Sequence, residues 1–202
     1  ELGRGEAFRV MAVGMKKYPC CYLSQRIIDG LLALRVEHGL TLDAVERVEI
    51  GVNRIFPQIL KYPDPANAEE ARFSLPHVVV SALSGEPMFI ETFTDAKVVD
   101  PTLATARDKV VMRVHPEWGD AQLGERNTIA ILLKDGRTLT RDCRMARGDP
   151  SDPLGRDELR TRFLNCADQV IHPHAATKAA DLLEGLERLT DASQLMTLLA
   201  SA

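Results

Sequence analysis

Residues 127–143, NTIAILLKDGRTLTRDC, decide the fold. At their centre, Asp135-Gly136 is the dipeptide that a tight type I′ turn favours, because both central residues there need positive φ. The flanks, 127–133 and 137–143, have strand composition, so the chain doubles back on itself as an antiparallel hairpin. Working towards the N-terminus, residues 109–115 alternate, with Val110, Met112 and Val114 on one face. Val48-Glu49-Ile50-Gly51-Val52 alternates in the same half-buried way.

Helical patterns surround these strands. After the Tyr18-Pro19 break, Leu23, Ile27, Ile28, Leu31, Leu32 and Leu34 recur at three and four residues, and Gly39 is placed to end the helix. Thr41 is placed to cap a short turn, and a loop with Pro57, Pro63 and Pro65 follows the first strand. Residues 68–83 read as a second helix that Pro76 either kinks or truly starts. Asp100-Pro101 opens a short helix, with Asp100 as N-cap and Pro101 at the first position. Beyond a Gly, Asp, Ser and Pro segment at 148–155, residues 157–170, 175–189 and 191–199 are helical. This order predicts an α+β class: a mainly antiparallel sheet with helices on one face, followed by a helical C-terminal tail. We expect an α+β unit over 1–147, then a hinge and C-terminal helices over 148–202. Leu182, Leu183, Leu186, Leu189, Leu195, Leu198 and Leu199 give the tail apolar stripes that a short sheet does not fully cover.

Composition narrows the function classes. With 45% hydrophobic and 27% charged residues and no uninterrupted apolar run of spanning length, the 202-residue chain is not read as a membrane protein. A formal charge of −4 supplies no basic field for nucleic acid. Cys20, Cys21, Cys143 and Cys166 lie in no CxxC spacing, so we expect reduced thiols in a cytoplasmic protein, with no zinc site or disulfide framework. Glu1-Leu2-Gly3-Arg4 lacks an initiating Met and reads as the middle of a longer chain. GxGxxG, Walker, GxSxG and HExxH motifs are all missing from the sequence.

The residues able to carry chemistry fall in two places. Lys16 and Lys17 precede Tyr18-Pro19 at a helix entry, where two cations beside free amides suit a carboxylate; solvated lysines and a core tyrosine are the bland alternative. Cys20 and Cys21 are adjacent, so strand-like geometry would send one inward and one outward, while helical geometry would leave them about 100° apart. A thiol beside lysines and a helix N-terminus is a candidate for a lowered pKa, and a small buried residue is the default. In Arg72-Phe73-Ser74-Leu75-Pro76-His77, the histidine is placed to transfer protons and Arg72 to hold an acid, against the default of a hydrogen-bonded structural histidine. His115 reads as structural, and His172 and His174 have no further ligands to form a metal site.

Three stretches carry a family resemblance. Lys16-Lys17-Tyr18-Pro19-Cys20-Cys21 with Ile28-Asp29 resembles the K-x-Y-P-x-C element of the MmgE/PrpD family, the 2-methylcitrate dehydratase-like proteins. Arg72-Phe73-Ser74-Leu75-Pro76-His77 is similar to its R/K-F-S-x-P-Y, and Gly148-Asp149-Pro150-Ser151-Asp152-Pro153-Leu154 with Glu158, Phe163 and Cys166 to its G-x-x-x-x-P-M/L stretch. The resemblance implies a small α+β lid and C-terminal helices that return to a large helical domain, which holds most acid–base residues and is not in this chain. It implies a cofactor-free, metal-free lyase that abstracts a proton beside a carboxylate of a di- or tricarboxylic acid, inactive as an isolated chain. An isomerase or epimerase, a cis-aconitate-type decarboxylase, or a non-catalytic dimerisation or ligand-binding lid are the alternatives. Implied partners are the small carboxylic acid, the N-terminal helical domain and a second copy in a homodimer, with neither nucleic acid nor membrane. Lys16 and His77 fall on catalytic positions; Lys16, Lys17, Cys21, Gln25 and Arg72 fall on substrate-binding ones. Three residues depart from the family: Cys21 and Gln25 stand where members have histidine, and His77 where many have tyrosine.

Overall fold

The structure, a computed structural model, describes residues 9–121 and 124–200. It divides after Pro153 into two compact units. The first has α+β architecture, as the sequence predicts. Its elements are α1 (Gln25–His38), β1 (Val45–Val52), α2 (Phe56–Ile59), α3 (Ala68–Ala71), α4 (Leu75–Ser84), α5 (Asp95–Val98), α6 (Pro101–Ala106), β2 (Val110–Val114), β3 (Asn127–Leu133) and β4 (Thr138–Cys143). The second contains α7 (Arg156–Ala167), α8 (Pro173–Glu184) and α9 (Ser193–Leu199).

The strands order β2-β1-β3-β4. β1 pairs antiparallel with β3, and β3 with β4, while β1 and β2 run parallel because the five helices α2 to α6 carry the chain across between them. In the parallel pair Val48, Ile50 and Val52 stand opposite Val110, Met112 and Val114, so these six lie on one face. Ile129, Ile131 and Leu133 add to that face from β3. Against it pack α1 and α4, whose Ile27, Ile28, Leu31, Leu34, Leu75, Val78, Val79, Ala82 and Leu83 are buried.

Gly30 lets α1 approach β3 and β4. A Cβ at that position would meet Cys143 Sγ at 2.5 Å and Ile129 Cδ1 at 2.7 Å. The helix stops at Gly39, which takes the left-handed conformation at φ 59°. Residues 68–83 form two helices, and Pro76 marks the true start of the second, where Ser74 Oγ caps the His77 amide at 3.2 Å. Asp100 accepts from the amides of Thr102 and Leu103 at 2.8 and 3.1 Å and caps α6, as its position before Pro101 predicts.

The hairpin forms where expected but with a different turn. Leu133 N–H bonds Arg137 O and Gly136 N–H bonds Leu133 O, both at 2.9 Å. Gly136 alone takes positive φ, 87°, and Asp135 does not. The loop thus has three residues, closed by a glycine in the left-handed region, rather than the two of a type I′ turn. The Asp135 carboxylate is turned back onto the Arg137 amide, at 3.0 Å, which suits the longer loop.

In the second unit, Glu158 caps the Gly155 amide at 2.9 Å, and Ala167, Ile171 and Ala176 form a small core with Phe163 and Leu164 against it. Arg160 pairs with Asp181 and Glu184 at 2.8 and 3.1 Å across α7 and α8. Leu183, Leu186 and Leu199 of the apolar stripes are exposed. No described helix is long and apolar enough to cross a membrane.

Candidate functional site

Lys16 lies in the irregular segment that leads into α1. Its ammonium is exposed, and no carboxylate among the described residues pairs with it. The backbone around it is tied down on both sides. On the N-terminal side, the Met15 amide donates to Gly148 O at 2.7 Å. On the C-terminal side, the Tyr18 amide donates to Gln25 Oε1 at 2.9 Å, and Gln25 Nε2 donates back to Tyr18 O at 2.9 Å. The same Nε2 reaches Cys20 O at 3.5 Å and Cys20 Sγ at 3.6 Å. Gln25 is fully buried, so its amide acts as a bracket for the chain ahead of the helix and offers nothing to a ligand in this arrangement.

Asp29, one turn further along α1, receives three groups. Its Oδ1 accepts the Tyr18 phenol at 2.7 Å and lies 3.7 Å from Lys17 Nζ; its Oδ2 accepts the Arg147 amide at 3.0 Å. Lys17 Nζ also lies 5.5 Å above the Tyr18 ring. Of the two adjacent lysines, then, Lys17 is held against the protein and Lys16 is presented to solvent.

Cys20 and Cys21 are both buried, the default for each, and the strand-like alternation of one inward and one outward does not form. A turn at Tyr18–Cys20 and a 3-10 segment at Tyr22–Ser24 replace the strand, and they fold both thiols under the chain. Burial raises both thiol pKa values, and it outweighs the opposing influence of Lys16 on each. Neither is an activated thiol. The Cys21 amide, rather than lying free at a helix start, donates to Arg72 O at 3.0 Å.

That hydrogen bond joins the entry of α1 to the segment ending in His77. Arg72 Nη1 pairs with Glu69 at 2.8 Å, and its side chain is about one-third exposed, at 35%. His77 is wholly enclosed. Its Nε2 lies 3.1 Å from Thr92 O, which can only accept, so this nitrogen carries the hydrogen. Nδ1 keeps a lone pair with no protein partner, and the Phe93 ring stands 5.9 Å away. Burial holds the imidazole below its ordinary pKa and keeps it neutral near pH 7. In this arrangement His77 meets no solvent-facing group.

Around the start of α1, therefore, three stretches distant in sequence converge. Gly148 touches Met15, Arg72 touches Cys21, and Asp149 accepts the Tyr22 phenol at 3.2 Å. Beside them a cavity of about 210 Å³ is lined by Tyr22, Arg26, Arg144, Met145 and Asp149. Arg26 is engaged structurally, with Nε on Asn127 Oδ1 at 2.6 Å and Nη1 on the carbonyls of Gly124 and Arg144. Asp29 was marked in sequence only as part of the family-like Ile28-Asp29 pair, and the buried Arg26 had no distinguishing signal beyond a polar residue on an apolar helix face. Among the described residues no three His, Cys, Asp and Glu side chains gather as a metal set. His172 Nδ1 accepts from the His174 amide at 3.3 Å, and His115 stacks on Trp118 at 4.1 Å.

A family model described as the MmgE/PrpD C-terminal domain matches residues 18–188. Among curated proteins, the chain is similar to cis-aconitate decarboxylase of Mus musculus, at 26% identity over 93% of this chain and 39% of the relative. It is also similar to cis-aconitate decarboxylase of Homo sapiens, at 24% identity over 93% of this chain and 40% of the relative. The chain thus spans about two-fifths of the length of the curated relatives it matches.

Proposed function

Since the chain belongs to the MmgE/PrpD family through its C-terminal domain, we propose that it forms the substrate-contacting lid of a lyase that removes a proton beside a carboxylate of a di- or tricarboxylic acid, without a cofactor. The observation that carries the reading is Lys16: an exposed cation without an acidic partner among the described residues, on a backbone tied on both sides, where the three family-like stretches meet. A fixed ammonium at that place binds a carboxylate and offsets the negative charge that develops on it as the neighbouring carbon loses its proton. Arg72, on the neighbouring stretch whose carbonyl takes the Cys21 amide, is a second cation once a ligand carboxylate competes with the exposed Glu69. Acid–base groups are assigned to the portion of the relatives' length that this chain does not span. His77, enclosed and neutral, serves in this reading to hold α4 and the Arg72 segment in place.

A second reading within the family is decarboxylation of cis-aconitate, favoured by the names of the two curated relatives. Cys21, standing where the decarboxylase has histidine, weighs against it. One experiment tests both. The complete protein is assayed on 2-methylcitrate, citrate and cis-aconitate, following double-bond formation and CO2 release, with Lys16→Ala alongside. A charged hydrogen bond to a carboxylate contributes about 1.5–3 kcal/mol, so Lys16→Ala lowers kcat/KM by roughly 10- to 100-fold. Full activity in the variant removes Lys16 from the site.

A further inference from the structure

We infer that Asp29 is the residue that positions Lys16 and makes it, rather than Lys17, the cation offered to a ligand; the inference rests on the contact proposed between Lys16 and a substrate carboxylate. Among the described residues the Lys16 side chain has no ion pair, so the backbone of its neighbours sets where the ammonium points. That backbone is held through Met15, whose amide bonds Gly148, and through Tyr18. Asp29 reaches both supports. Its Oδ1 takes the Tyr18 phenol at 2.7 Å, and its Oδ2 takes the amide of Arg147, the residue before Gly148, at 3.0 Å.

Space reinforces the arrangement. A Cβ on Gly14 would meet Gly148 O at 3.2 Å and Pro150 Cδ at 3.3 Å, so the segment carrying Lys16 and the segment leaving Arg147 run in contact. Asp29 ties the two together from the second turn of α1, a helix packed on the sheet. The same carboxylate draws Lys17 Nζ to 3.7 Å. It thereby neutralises one lysine of the pair and leaves the other free.

The test uses Asp29→Asn, which keeps the shape of the side chain, in the complete enzyme with and without Lys16→Ala. The substrate is whichever of the three acids Lys16→Ala affects most. The expected result is a kcat/KM lowered about tenfold, and no further loss when Asp29→Asn is added to Lys16→Ala. An unchanged kcat/KM overturns the inference. So does an equal loss in both backgrounds, since Asp29 then acts independently of Lys16.

Reductive 13C-methylation of the lysines in the 202-residue chain, with Lys16 assigned by Lys16→Arg, provides a readout that needs no activity. In Asp29→Asn the Lys16 resonance should move and narrow towards those of freely moving lysines; an unmoved resonance also overturns the inference. Full activity of Lys16→Ala, by contrast, sinks the proposed function while the resonance still decides whether Asp29 positions Lys16.

Discussion

Replacing Gln25 should cost the first unit more stability than its place at a helix start suggests. The side chain is fully buried and its amide makes two 2.9 Å hydrogen bonds, one to each polar group of the Tyr18 backbone. In Gln25→Leu the volume is nearly kept, but the Tyr18 N–H and C=O are left buried without partners, at about 1–3 kcal/mol each. That sums to roughly 2–4 kcal/mol, counting some relaxation. Gln25→Ala adds the loss of buried side-chain contacts and a small cavity, so about 3–5 kcal/mol is expected. Against a typical stability of about 5–15 kcal/mol, this is a large fraction.

Gln25→Glu adds a diagnostic. An ionised carboxylate would face the Tyr18 carbonyl, whereas the protonated acid can donate to it and still accept from the Tyr18 amide. Burial raises the folded-state pKa of such an acid above its unfolded value. Its stabilising hydrogen bond is therefore present at low pH and lost as pH rises through the folded pKa, so the variant should approach wild type on acidification from pH 7 to 5. The assay is urea unfolding followed by fluorescence of Trp118, the single tryptophan, which is stacked on His115 within the first unit. For Gln25→Ala a melting-temperature drop of roughly 6–15 °C corresponds to these energies. A Gln25→Ala variant within about 1 kcal/mol of wild type would refute the bracket.

Two further outcomes follow from the packing and the buried imidazole. Gly30→Ala gains up to about 1 kcal/mol of helix propensity but forces a methyl to within 2.5 Å of Cys143 Sγ, so a net loss of roughly 1–3 kcal/mol should appear in the same unfolding assay; a stabilised variant would mean that α1 shifts freely on the sheet. His77, whose folded pKa lies below the ordinary value near 6.5, binds protons more readily once unfolded. Stability present above about pH 6.5 is therefore lost as pH falls towards the folded pKa. Melting temperatures measured from pH 7.5 to 5 should decline more steeply for wild type than for His77→Gln, and parallel curves would contradict the assignment.

Much of the site was legible from residue types in order. The lysines before Tyr18-Pro19 and the Arg72 segment mark the two strips of chain that meet at Cys21 and Arg72 O. What residue order did not carry is which side chains face a ligand. Gln25 and Cys21 sit at positions that the family resemblance assigns to substrate, yet their burial follows from a turn and a 3-10 segment that place both under the chain. Lysine pairs look alike in sequence; only the acceptor on α1 distinguishes Lys17 from Lys16.

By itself, the sequence determined the α+β class, the hairpin, a break in the second helix at Pro76, the caps at Asp100 and Gly39, and the family, because each depends on local periodicity, on a residue with special backbone freedom, or on a short motif. Tertiary structure alone decided that β2 joins β1 in parallel, that the 135–136 turn carries a third residue, and that Asp29 gathers Tyr18, Lys17 and Arg147. These depend on contacts between residues distant in sequence or on how the packed strands close the turn. Local propensity has no access to either, since a carboxylate on α1 and an amide before Gly148 become neighbours only when the sheet brings both ends of the first unit together.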